Sequence, residues 1–209
     1  MDNMTHRLIS EFGDTSNIQD LFKQFAKEIR GKYSDTYGDR VSLKVKNWKI
    51  DLKFYVENNR DSFNTRYTII RAPFNNLNKF RCSIAPENFS DKIERFFGLK
   101  DIETGHQQFD IAFRIKGNDK NNVKLFLDNT KIRSIFLKYD FLNLEIKDDE
   151  GWLGNHYPDN KDLLYFSTQN FIYDIDILKD IFELFTESLI QLNKLGIVED
   201  KDPDVPLLV

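Results

Sequence analysis

Hydrophobic positions recur along this chain with two different periods. Near the start, Ile18, Leu21, Phe22, Phe25, Ala26 and Ile29 fall three and four apart, the spacing that gathers apolar side chains on one face of a helix. Asn17 or Ser16 supplies a capping oxygen ahead of this stripe, and Gly31 a stop behind it. From Val41 the period drops to two. Val41, Leu43 and Val45 alternate with polar residues, and so do Trp48, Ile50, Leu52, Phe54 and Val56. The two runs have opposite parity, so a turn or a bulge must lie at Lys46-Asn47. Further strands are predicted over 66–72 and 79–85 around a turn-like 73–78. Short connections favour antiparallel pairing of consecutive strands. Asn88 can cap a short helix to Phe97, ahead of Gly98.

In the second half, Phe109, Ile111, Phe113 and Ile115 alternate as a strand, stopped by Gly117-Asn118-Asp119. Asp119 or Asn121 can open a helix carrying Val123, Leu125, Phe126 and Leu127, and Asn129-Thr130 a second with Ile132, Ile135 and Phe136. Leu142, Leu144 and Ile146 predict a strand, and 163–167 its return, joined by a turn at 148–151 and a long loop over 152–162. Asp174 caps the strongest helical stripe, Ile175 through Leu195, which Gly196 ends. The tail, 199–209, is acidic and then Pro-Leu-Leu-Val, and is expected to fray. Strands cluster in runs instead of alternating with helices. That predicts an α+β fold, an antiparallel sheet covered on one face by helices, with a long C-terminal helix. One domain over 1–198 is expected, with two sub-halves meeting near 99–108.

The run Phe109-Asp110-Ile111-Ala112-Phe113-Arg114-Ile115-Lys116-Gly117-Asn118-Asp119 is followed by a helical stretch, Leu142 to Ile146 and an acidic-glycine turn. This ordering resembles bacterial α+β proteins of unknown function, over Phe109 to Leu195. The resemblance implies a fold and carries no catalytic residue with it.

Composition narrows the classes. Aromatics make up 14% of the 209 residues, 19 of them Phe, which excludes a disordered chain. No apolar stretch approaches the ~20 residues of a membrane-spanning helix. Residues 1–13 carry Asp2 and Glu11 and no apolar core, so they do not read as a signal peptide. A lone Cys82 forms no internal disulfide, and with the foregoing it points to a reducing cytoplasm. A net charge of −4 argues against a nucleic-acid partner. Lys44, Lys46, Lys49 and Lys53 around Trp48 read as a solvated strand face. The competing reading makes Trp48 a stacking platform among Lys44, Lys46, Lys49 and Arg66.

Candidate chemistry is sparse. No Gly-x-Ser-x-Gly and no Walker loop is present. Cys82 lies in an alternating apolar run and reads as a buried structural thiol. His6, His106 and His156 are far apart in sequence and lack metal-ligand spacing. Asp119-Lys120-Asn121 opens like a calcium loop, yet Lys124 stands where glycine is needed, and a helix cap is the better reading. No catalytic pair, metal or cofactor is therefore assigned. Gly151 to Asp159 gathers Trp152, His156 and Tyr157 between glycines and a proline. Aromatics with polar tips suit a ligand or a partner, so these three are the candidate binding residues. The alternative folds Trp152 and Tyr157 back to plug the end of the sheet. The composite expectation is a non-catalytic protein-interaction or self-associating module, a homodimer or a complex with another protein. Its alternative is a small-molecule binder or enzyme with a pocket near 152–159.

Overall fold

The alternation in the first half builds a meander. Strands β1 (Lys32–Ser34), β2 (Arg40–Val45), β3 (Trp48–Glu57) and β4 (Thr65–Asn75) pair antiparallel in chain order. The parity switch at Lys46-Asn47 is a two-residue turn. Val45 pairs with Trp48 across it, and Lys46 takes a φ of 51°, so both apolar runs land on one face. In this computed structural model the described residues are 15–36, 38–57, 64–87, 100–148, 157–205 and 207. The helix predicted over 88–97 lies outside them.

The chain departs from the expected pairing after β4. β4 and β5 (Cys82–Pro86) are not neighbours. β4 pairs instead with β9 (Lys161–Gln169), in register from Thr68↔Thr168 to Asn75↔Lys161. β8 (Leu144–Lys147), β5, β7 (Phe113–Gly117) and the two-residue β6 (Lys100–Asp101) follow. The order is β1-β2-β3-β4-β9-β8-β5-β7-β6, every neighbouring pair antiparallel. The connection 76–81 makes this possible. Six residues reach up to ~20 Å, enough for the ~14 Å between strands three places apart. β4 from Thr68 onward and all of β5 are buried on both faces, so each needs a strand on either side.

Among the described residues five helices cover one face: α1 (Thr15–Glu28), α2 (Gln107–Ala112), α3 (Lys120–Leu127), α4 (Thr130–Phe136) and α5 (Ile175–Lys194). Cross-strand rows such as Leu52, Ile70 and Phe166 point at them and are fully buried. Against these α5 sets Leu178, Ile181, Phe182, Phe185, Leu189 and Leu192. The caps predicted for the second-half helices form, whereas α1 already starts at Thr15, so Ser16 and Asn17 stand inside it and not at its cap. Asp119, Asn129 and Asp174 each accept two backbone N–H groups of the first turn. Gly196, at φ 70°, ends α5. Its N–H donates to Asn193 and that of Ile197 to Leu192, the paired bonds of a Schellman close.

The predicted strand over 109–115 is a helix in its first half. α2 holds Phe109 to Ala112, and only Phe113 onward is strand. Phe109 and Phe113 are four apart, so one helical turn brings them to the same side. Their rings lie 4.9 Å apart, and Phe136 meets both edge-on. Ile111, read as a core position, is 70% exposed. The tail also differs from expectation. The Glu199 N–H bonds the Asn75 carbonyl, the Trp48 indole donates to the Glu199 carbonyl at 3.0 Å, and Asn47 donates to Asp200. The hairpin end thus supplies donors to the chain from 199 onward. Phe171 is spent internally, stacked on Phe54 at 4.3 Å.

The close of α1 fixes its distance from the sheet. Arg30 takes the left-handed conformation, φ 55°, and the Gly31 N–H bonds the Ala26 carbonyl. A Cβ on Gly31 would lie 2.6 Å from the carbonyl oxygen of Ser42 in β2. The replacement Gly31→Ala is expected to cost about 1–3 kcal/mol by pushing helix and strand apart. A urea melt followed by far-UV circular dichroism reads it as a lower midpoint at unchanged slope.

Candidate functional site

The turn after β4 is organised by one side chain. Asn76 is fully buried. Its amide nitrogen donates to the Phe80 carbonyl at 2.9 Å and to the Asp162 carboxylate, while its oxygen accepts from Phe80 N–H at 3.1 Å. An asparagine is suited to this, since it offers two donors and an acceptor in one plane. The turn 77–79 is therefore closed on itself and tied to the start of β9. It is tied a second time by the Asn76 N–H to the Asn160 carbonyl, 2.9 Å, and a third by the Leu77 N–H to the Ile197 carbonyl, 2.9 Å.

Between this turn and the 157–162 segment lies a cavity of about 400 Å³, walled by Lys79, Arg81, Asp148, Tyr157, Lys161 and Asp162 among others. Pro158 to Lys161 forms its outer turn, with the Lys161 N–H on the Pro158 carbonyl and Asn160 at φ 63°. Asparagine tolerates that left-handed geometry better than most residues. Arg81 sits at the centre of the charges. One guanidinium nitrogen donates to the buried Asp162, and another lies 3.5 Å from the exposed Asp148. Burial pushes the Asp162 carboxyl above its ordinary range, against the pull of Arg81 and of the Asn76 amide. Lys161 donates to Asn75, which in turn donates to Glu199. The acids and bases of the wall are thus largely engaged with one another or with the backbone frame.

Of the three residues singled out in the sequence, Tyr157 lines this cavity, half-buried. Trp152 and His156 lie outside the described residues. The groups that sequence reasoning missed are Asn76, Arg81 and Asp162. Asp162 lies 86 residues from Asn76 and 81 from Arg81, and no local pattern marks the three.

Two other places carry chemistry-bearing groups. On the helix-free face, Asp51 is fully buried between Arg71 at 3.5 Å and Arg40 at 3.7 Å, and burial raises its carboxyl despite them. The three come from β3, β4 and β2, so the pairing fastens adjacent strands. Cys82 is buried, and that burial pushes its thiol up to about 12, which holds it as an unreactive thiol at neutral pH. Trp48 is fully buried, so it offers no stacking surface. The calcium-like opening at Asp119 is the α3 cap. Among the described residues no group of three or more His, Cys, Asp or Glu is placed to hold a metal ion. No helix among them is long and apolar enough to cross a membrane.

The chain matches no family model, no curated protein and no solved structure.

The raised pKa of Asp162 has a definite consequence for stability. The folded state holds this proton more tightly than the unfolded chain. Stability is therefore lost as pH rises from the ordinary carboxylate value of about 4 through the raised one, and stays level above it. The Asp162→Asn variant keeps the shape without the titration. Relative to it, the wild type is expected to weaken across that window, measured as the difference in urea midpoint at stepped pH.

Proposed function

We propose that this chain is a non-catalytic protein-interaction module of the bacterial cytoplasm that docks a second protein, or a second copy of itself, through the loop end of its sheet. The observation that carries the reading is Leu77, 56% exposed on a turn whose backbone is fixed on both sides. A large apolar side chain held out in water by a rigid frame has no folding role. It is preorganised for contact, and little further ordering is needed when a partner covers it. The cavity next to this turn is walled by the half-buried Tyr157 and the exposed Pro158, with Lys79 and Asp159 exposed. An apolar and aromatic centre with a charged rim is the usual anatomy of an interface.

A specific observation favours a second reading, small-molecule binding. The cavity beside Tyr157 measures about 400 Å³, within the range of ligand pockets. Its walls are rich in charge, which fits a polar ligand held by Arg81 and Lys161.

Both readings meet in one experiment. The full chain and the Leu77→Asp and Tyr157→Ser variants are compared by analytical ultracentrifugation and by tagged capture from native lysate, with intact native mass spectrometry of what is held. A dimer or a stoichiometric protein lost in Leu77→Asp is the expected result. A small molecule that co-purifies and is lost only in Tyr157→Ser favours the second reading. A bare monomer in all three overturns both.

A further inference from the structure

The charge of this acidic chain is not evenly spread. Lys32 of β1, Lys44 of β2 and Lys49 of β3 stand on the helix-free face of three adjacent strands. Lys44 is paired directly with Lys49, and Lys32 with Ser42, the next residue of that face. Like charges set opposite each other across strands are destabilising. Arg30, at the left-handed close of α1, joins them around a cavity of about 350 Å³. All four are exposed, and among the described residues none forms an ion pair. Lys49 contributes field to the buried Asp51, whose carboxylate is held by Arg71 and Arg40. The floor is rigid. It is the turn Lys46-Asn47, the buried Trp48, and Gly31 pressed against β2.

Among the described residues the only acid in the wall is Asp202. It belongs to the tail segment, whose Asp200 is anchored just outside by Lys46 at 3.2 Å and by Asn47. The α1 carbonyls nearest the cavity are already bonded, Lys27 to the Arg30 N–H and Ala26 to the Gly31 N–H. Nothing else on the wall offsets four cations. A compact anion carrying several charges would relieve their mutual repulsion, and the volume admits a small molecule.

We propose that the cavity bounded by Arg30, Lys32, Lys44 and Lys49 binds a small phosphate-bearing molecule with several negative charges. Asp202 is the acidic group the ligand must approach, and it sets a limit on affinity. Lys and Arg are the side chains that hold phosphate oxygens, Lys as a point charge and Arg as a fork. The site is remote from Tyr157 in sequence and shares no lining residue with its cavity. The proposal therefore stands or falls independently of the docking surface.

The test is isothermal titration of the full chain with inorganic tripolyphosphate at low salt. Saturable binding to one site is expected. The pair Lys44→Gln with Lys49→Gln should weaken it about tenfold or more, since two charge-assisted contacts go. Asp202→Asn should tighten it about threefold, by removal of one exposed like charge. Lys44→Arg with Lys49→Arg, which keeps both charges, should retain binding, and this separates lost charge from lost structure. Three results overturn the proposal: no saturable heat, an affinity unchanged in the double glutamine variant, or an affinity unmoved by Asp202→Asn. In a parallel arm a labelled single-stranded oligonucleotide is added. Retention that tripolyphosphate fails to displace would assign the face to nucleic acid and overturn the small-molecule site.

Discussion

The pairing of β9 with β4 is the constraint on which the rest of this structure depends. It joins the meander at the start of the chain to strands from its second half, and it runs unbroken from Thr68 to Asn75. Because β9 takes that edge, β5 must find its partners further out, in β8 and β7. Antiparallel ladders also fix which side chains share a face. Leu52, Ile70 and Phe166 come to lie in one row from three separate regions. That row is what α5 buries, and α5 in turn holds α4 through Lys131, which reaches Glu183 and Glu187, and through Lys138, which reaches Asp180.

The same pairing creates the loop end. Splitting β4 from β5 requires a connection that crosses two strands at the rim, and Asn76 makes this crossing rigid. Its side-chain amide bonds the Phe80 carbonyl and N–H from inside the turn, where an unpaired backbone group would be costly. Asp162 and Arg81 then meet because β9 starts where β5 starts. A buried carboxylate is costly unless it is paired and hydrogen-bonded, and both the guanidinium and the Asn76 amide answer that need. The consequence is a braced turn that leaves Leu77 in solvent.

Charge follows a similar logic. The acids along α5 are matched by lysines of α4 and by Lys179, and they serve as surface links between helices. Among the described residues Lys32, Lys44 and Lys49, on β1 to β3, form no such ion pair, and the acidic segment after Glu199 is held at the hairpin turn by Lys46. Overall charge is a sum, and it conceals this separation. A net of −4 is compatible with a local group of four cations, since surface charges more than a Debye length apart act almost independently.

The local elements were legible because their signals are local. Stripes at helical spacing gave α1 and α5, capping residues gave the starts of α3, α4 and α5, and the parity change at Lys46-Asn47 gave the hairpin turn. The strand-to-helix error at 109–112 has the same origin. Phe109 and Phe113 satisfy a period of two and a helical i, i+4 pair equally well, and only the ring of Phe136 distinguishes them. Of the candidate site, Tyr157 alone was visible as an aromatic in a glycine- and proline-bounded loop. Asn76, Arg81 and Asp162 were invisible, each an ordinary polar residue until the sheet brought them together. Sequence thus determined the faces, caps and turns, which depend on neighbours within a few residues. Tertiary structure decided strand order and the docking of the tail. Those depend on contacts between residues tens of positions apart, and periodicity carries no information about them.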